Sequence, residues 1–248
     1  AIITKEDVVS YAKANVVAKR SHVYVAGVFD EKAVMKAIKQ AFGAMPMGEP
    51  LPPVKVPEMV DEATLVMIPR DNAPQSTVRL GLRVLTENDA EYVPMSVMNT
   101  MLGGMFSSRI TTNIRETKGY TYSPRSAVFT YKDAGVWFES ADIQAESTGA
   151  ALNEIIKEIK LIQNEAPSEQ ELNGVKNYMA GIFVLRNSSR GGVINQLINL
   201  EINQLPETRL TEYTSQVRAV TADDISKVAT KYLSLDKMSL IVVGDEAQ

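Results

Sequence analysis

Apolar side chains in the C-terminal half of the chain recur at helical steps. Leu152, Ile155, Ile156, Ile159 and Ile162 make one continuous stripe, the three-and-four spacing of a helix face turned to a core. Ser168 and Glu171, behind Pro167, have the spacing of a capping box and open a second helix with Leu172, Val175, Met179, Ile182 and Phe183 inward. The runs "GGVINQLINLEI" and "ETRLTEYTSQV" predict two more helices, with a break near Gly191-Gly192, and "TADDISKVATKYL" a last one before the strand "MSLIVVG". The middle of the chain changes period. "ATLVMIPR" and "QSTVRLGLRV" read as strands about the turn formers Asp71 to Pro74, and "AVFTYKDAGVWFES" reads as a hairpin about Lys132 to Gly135. Between them "EYVPMSVMNTML" predicts a helix that stops at Gly103-Gly104, followed by a second, "SSRITTNIRETKG", started by serine and ended by Gly119. The predicted class is α+β, a two-layer domain with a mostly antiparallel sheet packed by helices.

The first 45 residues read helix, strand, helix. Thr4 and Asp7 stand at capping-box spacing, "HVYVAGVF" is a short apolar strand pattern, and Asp30 opens a helix closed by Gly43. This opening unit repeats the closing one. "ITKEDVVSYAKANVVAKRSHVYVAG" aligns without gaps on "VTADDISKVATKYLSLDKMSLIVVG" at a constant offset that carries Thr4 to Thr221, Asp7 to Asp224, Val8 to Ile225 and Gly27 to Gly244. So long an offset implies two similar large domains rather than a solenoid. Residues 1–45 are then the tail of a first domain, 46–58 a proline-rich linker, and 59–248 a second domain. Prolines lack an amide donor and hold the linker extended.

Composition narrows the chemistry mainly by exclusion. A net charge of -4 argues against a nucleic-acid footprint. With no cysteine there is neither disulfide nor thiolate site, and a single histidine, His22, cannot build a histidine-based zinc centre. No run approaches the ~20 apolar residues of a membrane span. Phosphate-binding loops and a nucleophile elbow are missing. Met95, Met98, Met101 and Met105 fall at helical spacing and read as core filling. The paired acids Glu6-Asp7 and Asp223-Asp224 sit at helix starts, where they answer the macrodipole. Arg109, Lys118 and Arg125 read as solvated charges, and Tyr120 as packing.

The run "LGGMFSSRI…IRETKGYTYS", with the proline-rich joint, "PQSTVRLG", the terminal "VVGD" and the duplicated domain, resembles the pitrilysin-like (M16) zinc metallopeptidases. The resemblance implies two α/β halves closing around a peptide. One half carries zinc on an H-x-x-E-H helix; the other, usually without metal, supplies an Arg and a Tyr seven residues apart. That spacing falls on Arg115 and Tyr122, and no H-x-x-E-H occurs here, so the chain resembles the non-zinc C-terminal half. The implied catalytic contacts are Arg115 and Tyr122. Gly103, Gly104 and Ser107 are expected at the substrate surface, although the two glycines also read as a helix stop with close backbone packing. The implied partners are a zinc-bearing half, in the same polypeptide or a separate subunit, and an unfolded peptide. The alternative is a non-catalytic assembly subunit of the same fold. The resemblance favours the periplasm, which a cysteine-free chain permits.

Overall fold

The computed structural model describes residues 2–57 and 62–246. The chain forms two compact units, Ala1–Val56 with Asn187–Ile198, and Pro57–Arg186 with Asn199–Gln248. Residue 58 of the expected linker and residues 59–61 at the expected start of the second domain lie outside the described residues, as do residues 1, 247 and 248.

The first unit opens with α1 (Lys5–Asn15), and Thr4 and Asp7 form the capping box that their spacing predicts. A tight turn at Ala18–Arg20 follows, and Asp30 caps α2 (Glu31–Phe42) by accepting from the Ala33 amide at 3.0 Å. Neither helix buries a residue. The segment predicted as the strand "HVYVAGVF" is not one here. A strand exists only through pairing, and no neighbouring strand is present among the described residues. Ala18 and Lys19 donate to the carbonyls of Pro46 and Met47 at 2.8 and 3.0 Å, which ties down the first residues of the proline-rich stretch.

The second unit is a five-stranded sheet in the order β1-β5-β2-β4-β3. The strands are β1 (Leu65–Pro69), β2 (Gln75–Val84), β3 (Arg125–Tyr131), β4 (Ala134–Gln144) and β5 (Ser239–Gly244). β5 runs parallel to β1 and antiparallel to β2, and every other pair is antiparallel. The turn at Asp71 to Pro74 joins β1 to β2, yet those strands do not pair, because the last strand of the chain lies between them. Along β4, Trp137, Glu139, Ala141 and Ile143 are buried while Val136, Asp142 and Gln144 are exposed, the period-two alternation of a sheet covered on one face.

The remaining helices are α3 (Tyr92–Asn99), α4 (Thr148–Asn164), α5 (Glu169–Asn187), α6 (Arg190–Asn203), α7 (Thr208–Ala219) and α8 (Ala222–Tyr232). The stripe on α4 buries Ile155, Ile159 and Ile162, and α8 buries Ile225, Val228 and Ala229 in the same core. Met95, Met98 and Met101 lie fully inside it and Met105 packs on its edge. The break between α5 and α6 falls at Ser188-Ser189, so Gly191 and Gly192 occupy the first turn of α6, and the Ser189 hydroxyl accepts from the Gly192 amide at 3.0 Å. No helix of the described residues is long and apolar enough to cross a membrane.

α8 repeats α1 in geometry as well as in sequence. In each, the threonine amide and hydroxyl both donate to the aspartate, at 2.9 and 2.8 Å for Thr4 and 2.8 and 2.7 Å for Thr221. The aspartate amide donates back to the threonine hydroxyl at 3.2 Å in both. Each helix then ends on the carbonyl of its matched alanine, Ala12 or Ala229, and a short turn follows at the matched position.

Candidate functional site

After α3 the backbone widens into a π-helical turn, Thr100–Gly104. Gly103 permits it: a Cβ there would sit 2.5 Å from Ser126 Oγ and 2.9 Å from Glu139 Oε2. Gly103 is thus buried inside the fold, away from the substrate surface expected of it, and its role is the close packing that glycine allows. Gly104 is half-buried against Asn99, whose carboxamide oxygen accepts from the Trp137 indole at 2.9 Å. The chain then turns outward through Met105, and Phe106 and Ser107 are both exposed. Ser107 borders a groove shared with Arg109, Asn113, Lys118 and Glu154.

Ser108 starts the next helix, its carbonyl accepting from the Thr112 amide and its hydroxyl donating to the Thr111 hydroxyl. From Thr111 to Thr117 this helix is also π-helical, and the Lys118 amide reaches the carbonyl of Asn113, five residues back. Such wide turns are frequent at functional sites because they redirect side chains. Gly119 closes the helix at φ +70°, a left-handed conformation that glycine takes without strain. The Gly119 and Tyr120 amides cap the carbonyls of Arg115 and Ile114. Tyr120 packs on the core as expected, and Thr121 bridges Ile143 while its hydroxyl donates to the Asp142 carbonyl at 2.6 Å. Tyr122 follows this anchored residue and is 77% exposed.

These two anchored ends bring the predicted pair together. The Arg115 guanidinium carbon lies 4.6 Å from the centre of the Tyr122 ring and 4.5 Å from that of Phe106. Arg115 Nε pairs with Glu116 at 3.0 Å, and no other partner is present for its terminal nitrogens among the described residues. Four N–H donors are therefore free at the end of a side chain held by two aromatic rings and one carboxylate. The contrast with Arg209 is instructive. It lies over Tyr92 and Tyr213, but Glu87 accepts from its terminal nitrogen at 3.4 Å, so that end is engaged within the fold. Burial, reinforced by Glu87, pushes the Tyr92 hydroxyl up to about 12.

Two further side chains depart from expectation or escaped it. Arg109 is not a solvated charge: its Nε and Nη2 donate to the two carboxylate oxygens of Glu171 at 2.7 and 2.8 Å. That pairing takes Glu171 from the capping box, of which only the Glu171 amide to Ser168 hydroxyl half remains. Glu139 has no accessible surface, and neither of its oxygens closes a hydrogen bond among the described residues. Burial, the largest influence, pushes its carboxyl well above the ordinary range, opposed by the nearby backbone amides of Arg125 and Ser140. Alternation along β4 puts this position on the buried face, but the residue type, a glutamate, argues against burial.

No cluster of three or more histidine, cysteine, aspartate or glutamate side chains that could hold a metal occurs among the described residues, and His22 is exposed. The donors present do not fit a catalytic zinc.

The peptidase M16 inactive-domain model matches residues 3–179. The chain belongs to this family. Within the M16 inactive domain, the run from Leu102 to Tyr122 falls wholly inside the matched residues. The chain is 27% identical over 227 residues to an uncharacterised zinc protease of Streptomyces coelicolor, covering 90% of this chain and 49% of that protein. It is 22% identical over 237 residues to a probable inactive metalloprotease of Bacillus subtilis, covering 92% and 53%. A peptidase M16 inactive domain from Pseudomonas fluorescens has the same fold, with a TM-score of 0.86, 22% identity, and coverage of 98% and 57%. This M16 chain spans about half the length of the curated relatives it matches. It is an inactive-type half-domain, similar to halves of proteins that are named zinc proteases.

Proposed function

We propose that this half-domain grips an extended peptide for a zinc metallopeptidase whose metal is held by an H-x-x-E-H-bearing half, in the same polypeptide or in a separate subunit. One observation carries the reading: half-buried Arg115 lies against the ring of exposed Tyr122, with the arginine's terminal donors unspent among the described residues. A guanidinium with free parallel donors suits main-chain carbonyls, and an exposed tyrosine hydroxyl can donate to a carbonyl oxygen as negative charge gathers on it. Ser107, at the rim of the neighbouring groove, and Gly104 complete the proposed surface. Residues 1–45 belong, on this reading, to the tail of the preceding domain, 46–58 to the linker, and 59–248 to the gripping half. The exposed apolar residues of α1, Val8 and Tyr11 among them, fit that assignment, since their counterparts on α8, Ile225 and Val228, are buried.

The test is hydrolysis of a flexible quenched peptide by the complete protein with its zinc-bearing half. Arg115→Ala and Tyr122→Phe are each expected to lower kcat by about 10²–10³, the usual cost of one lost oxyanion donor, with much smaller changes in KM. Unchanged turnover in both variants would refute the role. No hydrolysis by the complete unaltered protein would instead favour a non-catalytic assembly subunit of the same fold; the Bacillus subtilis relative is named a probable inactive metalloprotease.

A further inference from the structure

We propose that Phe106 is a positioning residue that holds the Arg115 guanidinium in its working direction; this rests on the peptide-gripping role of Arg115. Phe106 is 64% exposed and is absent from both hydrophobic cores, so burial does not account for its place. Its contact is the face it offers to Arg115, 4.5 Å from ring centre to guanidinium carbon. Tyr122 offers a second face at 4.6 Å to the same carbon. The third restraint, the Glu116 pair at Nε, involves a carboxylate about half exposed, and exposed pairs fix a side chain weakly.

An arginine side chain has many rotamers, and that freedom is lost when it grips a peptide. A guanidinium against aromatic faces keeps its plane, and therefore the direction of its terminal N–H groups, before any peptide arrives. Without Phe106 the remaining ring bounds only one side. The guanidinium can then swing away from Tyr122, and its donors no longer converge on the carbonyl beside the tyrosine hydroxyl. The backbone is built for this placement. Gly103 packs on Ser126 and Glu139 within the first π-helical turn, which ends at Gly104, and Phe106 follows two residues later. The second π-helical segment carries Arg115 toward it.

The experiment is a steady-state comparison in the complete protein with its zinc-bearing half, on a flexible quenched peptide. The variants are Phe106→Ala, Phe106→Leu, Phe106→Tyr, Arg115→Ala and the double variant Phe106→Ala/Arg115→Ala. Phe106→Ala and Phe106→Leu are expected to lower kcat on the order of tenfold, within the hundredfold that a 1 Å misplacement can cost, with KM changed less than about twofold. Phe106→Tyr restores most of the loss, because the ring face is kept. In the Arg115→Ala background the Phe106 change costs nothing further. Phe106→Leu keeps apolar bulk without a ring, so it decides the matter even if the alanine variant folds poorly. Full kcat in Phe106→Leu beside a damaged Arg115→Ala overturns the positioning role and leaves the gripping role standing. A loss in the double variant that adds to that of Arg115→Ala also overturns it. Full activity in Arg115→Ala removes both.

Discussion

A carboxyl group with no accessible surface and no hydrogen bond costs least when it keeps its proton, and Glu139 is in that position beneath Gly103. Its folded pKa lies above the ordinary glutamate value of 4.5. Below that value both folded and unfolded chains hold the proton, and the contribution to stability is whole. As pH rises, the unfolded chain ionises first, so stability falls by about 1.4 kcal/mol per pH unit until the folded group titrates. Glu139→Gln abolishes that slope. Chemical denaturation as pH is raised above the ordinary glutamate value is expected to show the variant gaining on the wild type; a gap that stays constant with pH would contradict it. The same residue shows a limit of pattern reading. Alternation places Glu139 on the inner face of β4, whereas composition places a glutamate outside, and only the glycine opposite makes room for it. The seven-residue spacing of Arg115 and Tyr122 was visible in the letters, but the contact of Phe106 with Arg115 was not. An aromatic side chain in a glycine- and serine-rich run has no periodicity to say what it touches, and its partner lies nine residues on, within the second of the two π-helical segments that flank Phe106.

Helices α1 and α8 separate local from tertiary control. They share a capping box, a C-terminal stop and a following turn, so their local free energies are alike. Their burial is opposite: α1 covers nothing, while Ile225 on α8 has no accessible surface. Ile225→Ala is expected to cost about 2–5 kcal/mol in chemical denaturation, and Val8→Ala less than about 0.5 kcal/mol in this 248-residue chain. In the complete protein, with the preceding half present, Val8→Ala should approach the cost of its counterpart. Equal and small costs for Val8 in both settings would contradict the assignment of α1 to a preceding domain. The segment after α1 follows the same logic. Residues 22–27 carry the apolar run that forms β5 in the second copy, yet are not a strand here, since a strand needs neighbouring strands that sequence cannot supply locally.

Across the whole molecule, residues 50–55 are exposed and make no backbone hydrogen bond among the described residues, whereas Pro46 and Met47 are tied to Ala18 and Lys19. Limited trypsin digestion should therefore cut first after Lys55, checked by mass and N-terminal sequence of the fragments. An earlier cut within the five-stranded unit would show that the exposed stretch is held more firmly than its hydrogen bonds indicate. The sequence by itself determined most of the elements, the threonine–aspartate caps of α1 and α8, the alternation along β4, the repeated opening and closing segments and the Arg–Tyr spacing. All of these depend on neighbours within a few residues or on a repeat visible in the letters. Tertiary structure alone decided that β5 enters between β1 and β2, that Glu139 is buried with its carboxyl pKa pushed up, that Arg109 takes Glu171 from its cap, and that Phe106 closes on Arg115. Each joins groups distant in the chain or turned by a non-standard helical step, and each is settled by packing space and competition for partners rather than by local preference.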